Sequence, residues 1–242
     1  VFAQMMNQYA QQLGMNDTNY MNATGLPDPN HYTTARDIAT LSAALIRDFP
    51  EHYSWYAEKE YTYNDITQHN RNKLLWRDNS VDGLKTGHTE EAGFCLAASA
   101  KRGDMRLITV VLGTRSENAR AQETQKLLNY GFRFFETHQL YQANATITDT
   151  KVWKGAQDQL ALGLAKNLTV TVPRGQYDEL AASTNIQQPV IAPIEAGTPL
   201  GEVEIRLGDE IIAKQPLVAL TTVEKGSWWR RLIDEILLWI WG

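Results

Sequence analysis

Val81-Asp-Gly-Leu-Lys-Thr-Gly-His-Thr-Glu-Glu-Ala-Gly93 runs straight into two apolar stretches, Phe94 to Lys101 and Met105 to Leu112. Arg102-Gly103-Asp104 separates them. Two short apolar runs around a Gly-containing turn predict an antiparallel hairpin. Val81 to Gly87 predicts the strand that leads into it. Lys85-Thr86-Gly87 then sits at that strand's exposed end. Lys85 places a cation where a carboxylate can sit, and Thr86 offers it a hydroxyl donor. Gly87 leaves the backbone open to close approach. The backbone N–H of His88 suits an oxyanion hole, and an exposed strand edge can pair with an extended peptide. Taken alone, the three residues also fit a surface turn with a solvated lysine.

Working outward, Phe2, Met5, Met6, Tyr9 and Leu13 recur at helical spacing and Gly14 is a stop signal. Gly25-Leu-Pro-Asp-Pro-Asn30 is turn-rich. Thr34-Ala-Arg-Asp37 is a capping pattern opening a helix with Ile38, Leu41 and Leu45, closed by Asp48-Phe49-Pro50. Residues 51–80 show no clear period and predict short strands and loops. Ser116 is a candidate N-cap, with Glu117 in the first turn of a helix running toward Phe134 and Phe135. Residues 1–138 therefore read as α+β, helices with an antiparallel sheet. Past about residue 145, strands are expected at 151–154, 168–173, 189–194, 201–206 and 210–221, a small all-β domain. The expected division is 1–143, 144–223 and a terminal helix over 224–242.

Of 242 residues, 23 are Lys or Arg and 28 are Asp or Glu, so the net charge is −5. That balance excludes a general nucleic-acid binder. Cys95 is the one cysteine, which excludes an intrachain disulfide framework and a Cys-based zinc cluster. His31, His52, His69, His88 and His138 show no ligand spacing, so no metal is expected, and no phosphate loop or cofactor signature is present.

Four of the seven tryptophans, Trp228, Trp229, Trp239 and Trp241, fall in the last fifteen residues. On a helix Trp229, Leu232, Ile233, Ile236, Leu237 and Ile240 share one face, and Arg230, Arg231, Asp234 and Glu235 the other. Such a segment is too short to span a bilayer. Apolar side chains with Trp at both flanks suit the membrane interface. A terminal helix docked on its own domain is the alternative.

The combination of Tyr32-Thr-Thr-Ala-Arg-Asp37, Asn70-Arg71-Asn72-Lys-Leu-Leu-Trp76, Val81 to Thr89, Lys126-Leu-Leu-Asn-Tyr-Gly-Phe-Arg-Phe-Phe-Glu136 and Val172-Pro-Arg-Gly175 resembles the low-molecular-weight penicillin-binding proteins. Within them it is similar to the serine D-alanyl-D-alanine carboxypeptidases of the type-5/type-6 group. The resemblance implies the C-terminal part of a penicillin-binding-protein or β-lactamase-like transpeptidase domain, then a small all-β domain and an amphipathic anchor. It implies acyl transfer from the D-Ala-D-Ala bond of a peptidoglycan stem peptide to a serine, and acylation by β-lactams. It also implies residence at the periplasmic face of the bacterial inner membrane. Lys85, Thr86 and Gly87 match the family's third motif, His88 would supply the oxyanion N–H, and Arg120 aligns with an arginine near the substrate carboxylate. Arg71 is a weaker candidate, an ion-pair partner by preference.

The family's Ser-x-x-Lys nucleophile motif begins at none of the seven serines (42, 54, 80, 99, 116, 183 and 227). Ser116-Glu-Asn118 and Ser183-Thr-Asn185 fit the family's Ser-x-Asn pattern but follow Lys-Thr-Gly, in the wrong order. The expectation is a chain truncated at its N-terminus, with the nucleophile upstream of Val1 and no activity of its own. The uncapped first helix agrees. A DD-endopeptidase of the same fold and a non-catalytic, membrane-anchored envelope binding module are the alternatives.

Overall fold

Gly14, at φ +79°, ends α1 (Phe2–Gln12) in a left-handed turn. Thr34 opens α2 (Ala35–Asp48), its Oγ1 accepting a 3.1 Å hydrogen bond from the Asp37 N–H. The buried Asp37 carboxylate does not return that bond. It accepts from the Asp17 N–H at 3.0 Å and the Thr18 hydroxyl at 2.6 Å, tying the preceding loop to α2. Pro50 starts α3 (Pro50–Tyr53). An exposed hairpin follows, β1 (Glu60–Tyr63) with β2 (Ile66–His69), and then α4 (Leu74–Arg77). Residues 51–80, read as strands and loops, thus also hold short helices.

Three strands come next: β3 (Val81–Thr89), β4 (Gly93–Arg102) and β5 (Met105–Thr114), an antiparallel sheet in the order β3-β4-β5. Arg102 pairs with Met105, so the loop is the two residues Gly103 and Asp104, with Gly103 at φ +58°. In α5 (Glu117–Phe134) the Ser116 hydroxyl accepts from the Ala119 N–H at 3.1 Å. On β4, Leu96 to Ala100 are all buried. The reason is a helix on each face: α2 and α5 both pack on β4 and β5. Ala97 and Val110 turn toward Tyr53, Ile38 and Leu45. Alternate positions face α5, where Leu107 packs on Gly131; a Cβ there would lie 2.5 Å from Leu107 Cδ1 and the leucine would have to shift.

The computed structural model describes residues 1–241, with side chains through Ile240. It divides into two compact units, Val1–Phe134 and the remainder from Phe135. The second unit opens with β6 (Phe135–Tyr141), followed by β7 (Thr146–Trp153), β8 (Gln159–Gly163), β9 (Leu168–Pro173), β10 (Leu180–Ile186), β11 (Val190–Ile191), β12 (Pro199–Leu207) and β13 (Glu210–Ala219). β6 pairs with β9, and so belongs to the all-β unit rather than ahead of it. The others form a six-stranded sheet in the order β10-β12-β13-β8-β7-β11. Leu160, Leu162, Leu164, Val172, Val203, Ile205 and Leu217 fill its core. Of the 189–194 segment only Val190–Ile191 is strand, and β8 and β10 are strands the sequence reading did not anticipate. The last element is α6 (Trp228–Trp241).

Candidate functional site

Lys85, Thr86, Gly87 and His88 occupy consecutive places on β3, opposite Ala97, Leu96, Cys95 and Phe94 of β4. Lys85, Gly87 and His88 are exposed and Thr86 is half-buried. The Lys85 ammonium donates to the Thr86 carbonyl at 2.6 Å, so the cation lies along its own strand. A Cβ on Gly87 would meet only Cys95 Cβ, at 3.8 Å, and its φ is not left-handed. Nothing inside the protein therefore requires glycine there; what its absent side chain leaves open is the strand surface. The His88 ring stacks on Phe94 at 3.8 Å between centroids.

Arg120 is 3% exposed and reaches this strand from α5. Its Nη1 donates to the Gly87 carbonyl and its Nη2 to the Arg71 carbonyl, each at 3.3 Å. The guanidinium lies over the Phe94 ring at 5.6 Å. Arg71 is exposed and meets Arg120 through that carbonyl. Glu117 is held below the usual carboxylate range, first by its hydrogen bond to Lys73 and then by the charges of Arg120 and Arg71.

Asn72 and the network around Tyr53 are groups that sequence reasoning missed. Asn72, 1% exposed, donates from Nδ2 to the Gly83 carbonyl at 3.0 Å and accepts from the Leu74 N–H at 3.2 Å. Adjacent residues 71 and 72 thus hold the strand on both sides of Lys85, at Gly83 directly and at Gly87 through Arg120. Tyr53 donates to Asp82 at 2.7 Å, and Arg106 bonds Asp82 and the buried Ser99 hydroxyl, at 2.8 and 2.6 Å. Burial pushes the Tyr53 hydroxyl well above the usual tyrosine range, and its bond to Asp82 adds to this. A Cβ at 83 would stand 2.7 Å from Tyr53 Oη, so a larger residue there would push the tyrosine from its place against Asp82. The one available signal was the Asn70-Arg71-Asn72 triplet, which reads as loop. Beyond His88, a cleft lined by Pro27, Tyr32, Thr89, Ala92, Cys95 and Leu112 adjoins the strand end. Among the described residues no three His, Cys, Asp or Glu side chains gather where they could hold a metal.

On α6, Trp228, Trp229, Leu232, Ile233, Ile236, Trp239 and Ile240 are 43% to 86% exposed. Leu237 is half-buried, and the Trp241 side chain lies outside the described residues. The charged face carries Arg230, Asp234 and Glu235 against the turn between β7 and β8. The helix is docked on its own unit, then, but by its polar side. Among the described residues no helix is long and apolar enough to cross a membrane.

The family described as D-alanyl-D-alanine carboxypeptidase, peptidase S11, matches residues 1–116, and the C-terminal domain of penicillin-binding protein 5 matches residues 135–225. The D-alanyl-D-alanine carboxypeptidase DacC of Escherichia coli K12 is 43% identical over 239 residues, 98% of this chain and 60% of that protein. The solved structure of penicillin binding protein 5 from Haemophilus influenzae is 40% identical, with a TM-score of 0.81 over 93% of this chain and 66% of that one. That of the D-alanyl-D-alanine carboxypeptidase DacD from Francisella tularensis is 33% identical, with a TM-score of 0.62 over 93% of this chain and 68% of that one. The chain spans about three-fifths of the length of the curated relatives it matches.

Proposed function

This chain belongs to the D-alanyl-D-alanine carboxypeptidase family of peptidases, and on that premise we propose that it is the substrate-carboxylate half of such an enzyme. The reaction is acyl transfer: a serine attacks the terminal D-Ala-D-Ala bond of a peptidoglycan stem peptide, D-alanine leaves, and water releases the acyl-enzyme. β-Lactams acylate the same serine. The observation that carries this reading is the exposed Lys85-Thr86-Gly87 edge, braced from beneath by Arg120 and Asn72. Lys85 and Thr86 receive the terminal carboxylate, with the Arg120 charge behind the strand adding to the attraction. Gly87 gives the peptide access to the backbone, and the His88 N–H stabilises the oxyanion. These 242 residues carry no Ser-x-x-Lys, so the nucleophile is assigned to sequence outside them.

A fluorescent penicillin tests the proposal. The 242-residue chain stays unlabelled, whereas the complete product of the gene encoding it is labelled on a serine and releases D-alanine from a D-Ala-D-Ala peptide. An unlabelled complete product overturns the hydrolase reading, and labelling of the 242 residues alone overturns the assignment of the nucleophile.

The same proposal places α6 in the interface at the periplasmic face of the inner membrane. Its support is the exposed apolar side chains, with tryptophans at both ends. Arg230 and Arg231 are offset by Asp234 and Glu235, so attachment rests on apolar burial and salt releases it poorly. Liposome flotation with and without residues 226–242 tests this; equal flotation overturns it.

A further inference from the structure

The turn joining β7 to β8 is built around a residue in an unfavourable conformation. Lys154 has φ +59°, a left-handed backbone that glycine or asparagine adopts more readily. That geometry turns both its groups onto α6: the backbone N–H donates to the Asp234 carboxylate and the ammonium pairs with Glu235. Four residues on, Asp158 pairs with Arg230. Each charge on the turn meets its opposite on the helix.

The approach to the helix is equally fixed. Lys225 bridges to Gly155, the Gly226 N–H donates to the Lys154 carbonyl at 2.8 Å, and the Ala156 N–H donates to the Glu224 carbonyl at 2.8 Å. A Cβ on Gly226 would lie 2.6 Å from the Gly155 oxygen. The segment entering α6 is thus paired to the turn rather than left as slack chain. Because the charged face is occupied, Trp229, Ile233, Ile236 and Ile240 face away from the unit.

We propose that Lys154–Asp158 is a socket that grips α6 by its charged face, so that the all-β unit meets the lipid surface in one fixed orientation with this turn beside it. The lipid part rests on the interfacial reading of α6; the socket does not.

The test uses the whole chain in a Cys95→Ser background. A fluorophore is placed at Gln157→Cys, in the turn, or at Asp209→Cys, in the turn before β13. Vesicles of phosphatidylethanolamine and phosphatidylglycerol carry a headgroup quencher. The expected result is flotation with strong quenching at 157 and little at 209. Asp158→Arg with Lys154→Glu sets like charges against the helix. This variant keeps flotation but loses the difference between the two sites. In solution its α6 amides exchange about tenfold faster or more, the effect of a loss of about 1.4 kcal/mol in docking. Exchanging the partners of one pair, Asp158→Arg with Arg230→Asp, returns slow exchange. Unchanged exchange in the charge-reversed variant overturns the socket. Equal quenching at 157 and 209 in the parent chain overturns the fixed orientation. Failure of the parent chain to float overturns the interfacial reading, while the exchange measurement still decides the socket.

Discussion

Asn72→Ala removes one carboxamide and strands two backbone groups. Gly83 loses the donor to its carbonyl and Leu74 the acceptor for its N–H, at a residue only 1% exposed. An unsatisfied buried group costs about 1–3 kcal/mol. Two of them predict about 2–4 kcal/mol in sum, allowing for partial relaxation, a large share of the 5–15 kcal/mol typical of a domain. Thr62→Ala is the control. Its exposed hydroxyl bonds only the Thr67 hydroxyl, at 2.8 Å, where water can substitute, so its loss is below about 1 kcal/mol. Urea unfolding read by hydrogen exchange on β3–β5 peptides follows the first unit separately from the second. A loss under about 0.5 kcal/mol for Asn72→Ala, or one equal to that of Thr62→Ala, refutes the account of Asn72 as the brace of the Lys85 strand.

Gly87→Ala is expected to leave stability unchanged or raise it by up to about 1 kcal/mol, since the added methyl meets only Cys95 at ordinary distance. In the complete enzyme it should depress penicillin acylation, and a loss of stability in a thermal melt would contradict the open-surface reading. Gly201→Ala should destabilise the all-β unit, because its Cβ would stand 2.3 Å from the Asn185 carbonyl oxygen; a melt unchanged from that of the parent contradicts this. Burial raises the Asp78 carboxyl, but bonds from Ser80, Gln125 and Arg102 outweigh it and lower the group to about 2. Being depressed in the folded state, it stabilises above its unfolded value and loses that contribution as pH falls from about 4 to about 2. Asp78→Asn should flatten acid unfolding in that window, and an unaltered profile counts against it.

The central hairpin was legible because burial on both faces leaves an unbroken apolar run, and the ends of α2 and α5 because Thr34 and Ser116 are cap residues. β8 and β10 were not. Gln159-Leu-Ala-Leu-Gly163 has no β-branched residue, and Leu180-Ala-Ala-Ser-Thr-Asn-Ile186 is a largely exposed edge strand. Phe134 ends a helix and Phe135 starts a strand with no turn residue between them, so the unit boundary left no mark in the composition. Lys85 to His88 could be read as a motif. Asn72 and Tyr53 could not, because their partners are 11 and 29 residues away. The amphipathic period of α6 was plain, but not that its charged side would be the docked one. Periodicity reports which face is apolar and leaves open what the other face meets.

Position 154 sets two demands against each other. The left-handed turn costs a lysine about 1–2 kcal/mol that glycine would avoid, while the pairing with Glu235 needs a long cation. A protein selected only for the stability of this turn would drift to Gly or Asn there. The residue found at this place in related chains therefore serves as a sorting mark. Lys or Arg there keeps the ion pair with Glu235, and Gly or Asn trades it for an easier turn, leaving the helix held by the backbone bond to Asp234 and the Asp158–Arg230 pair.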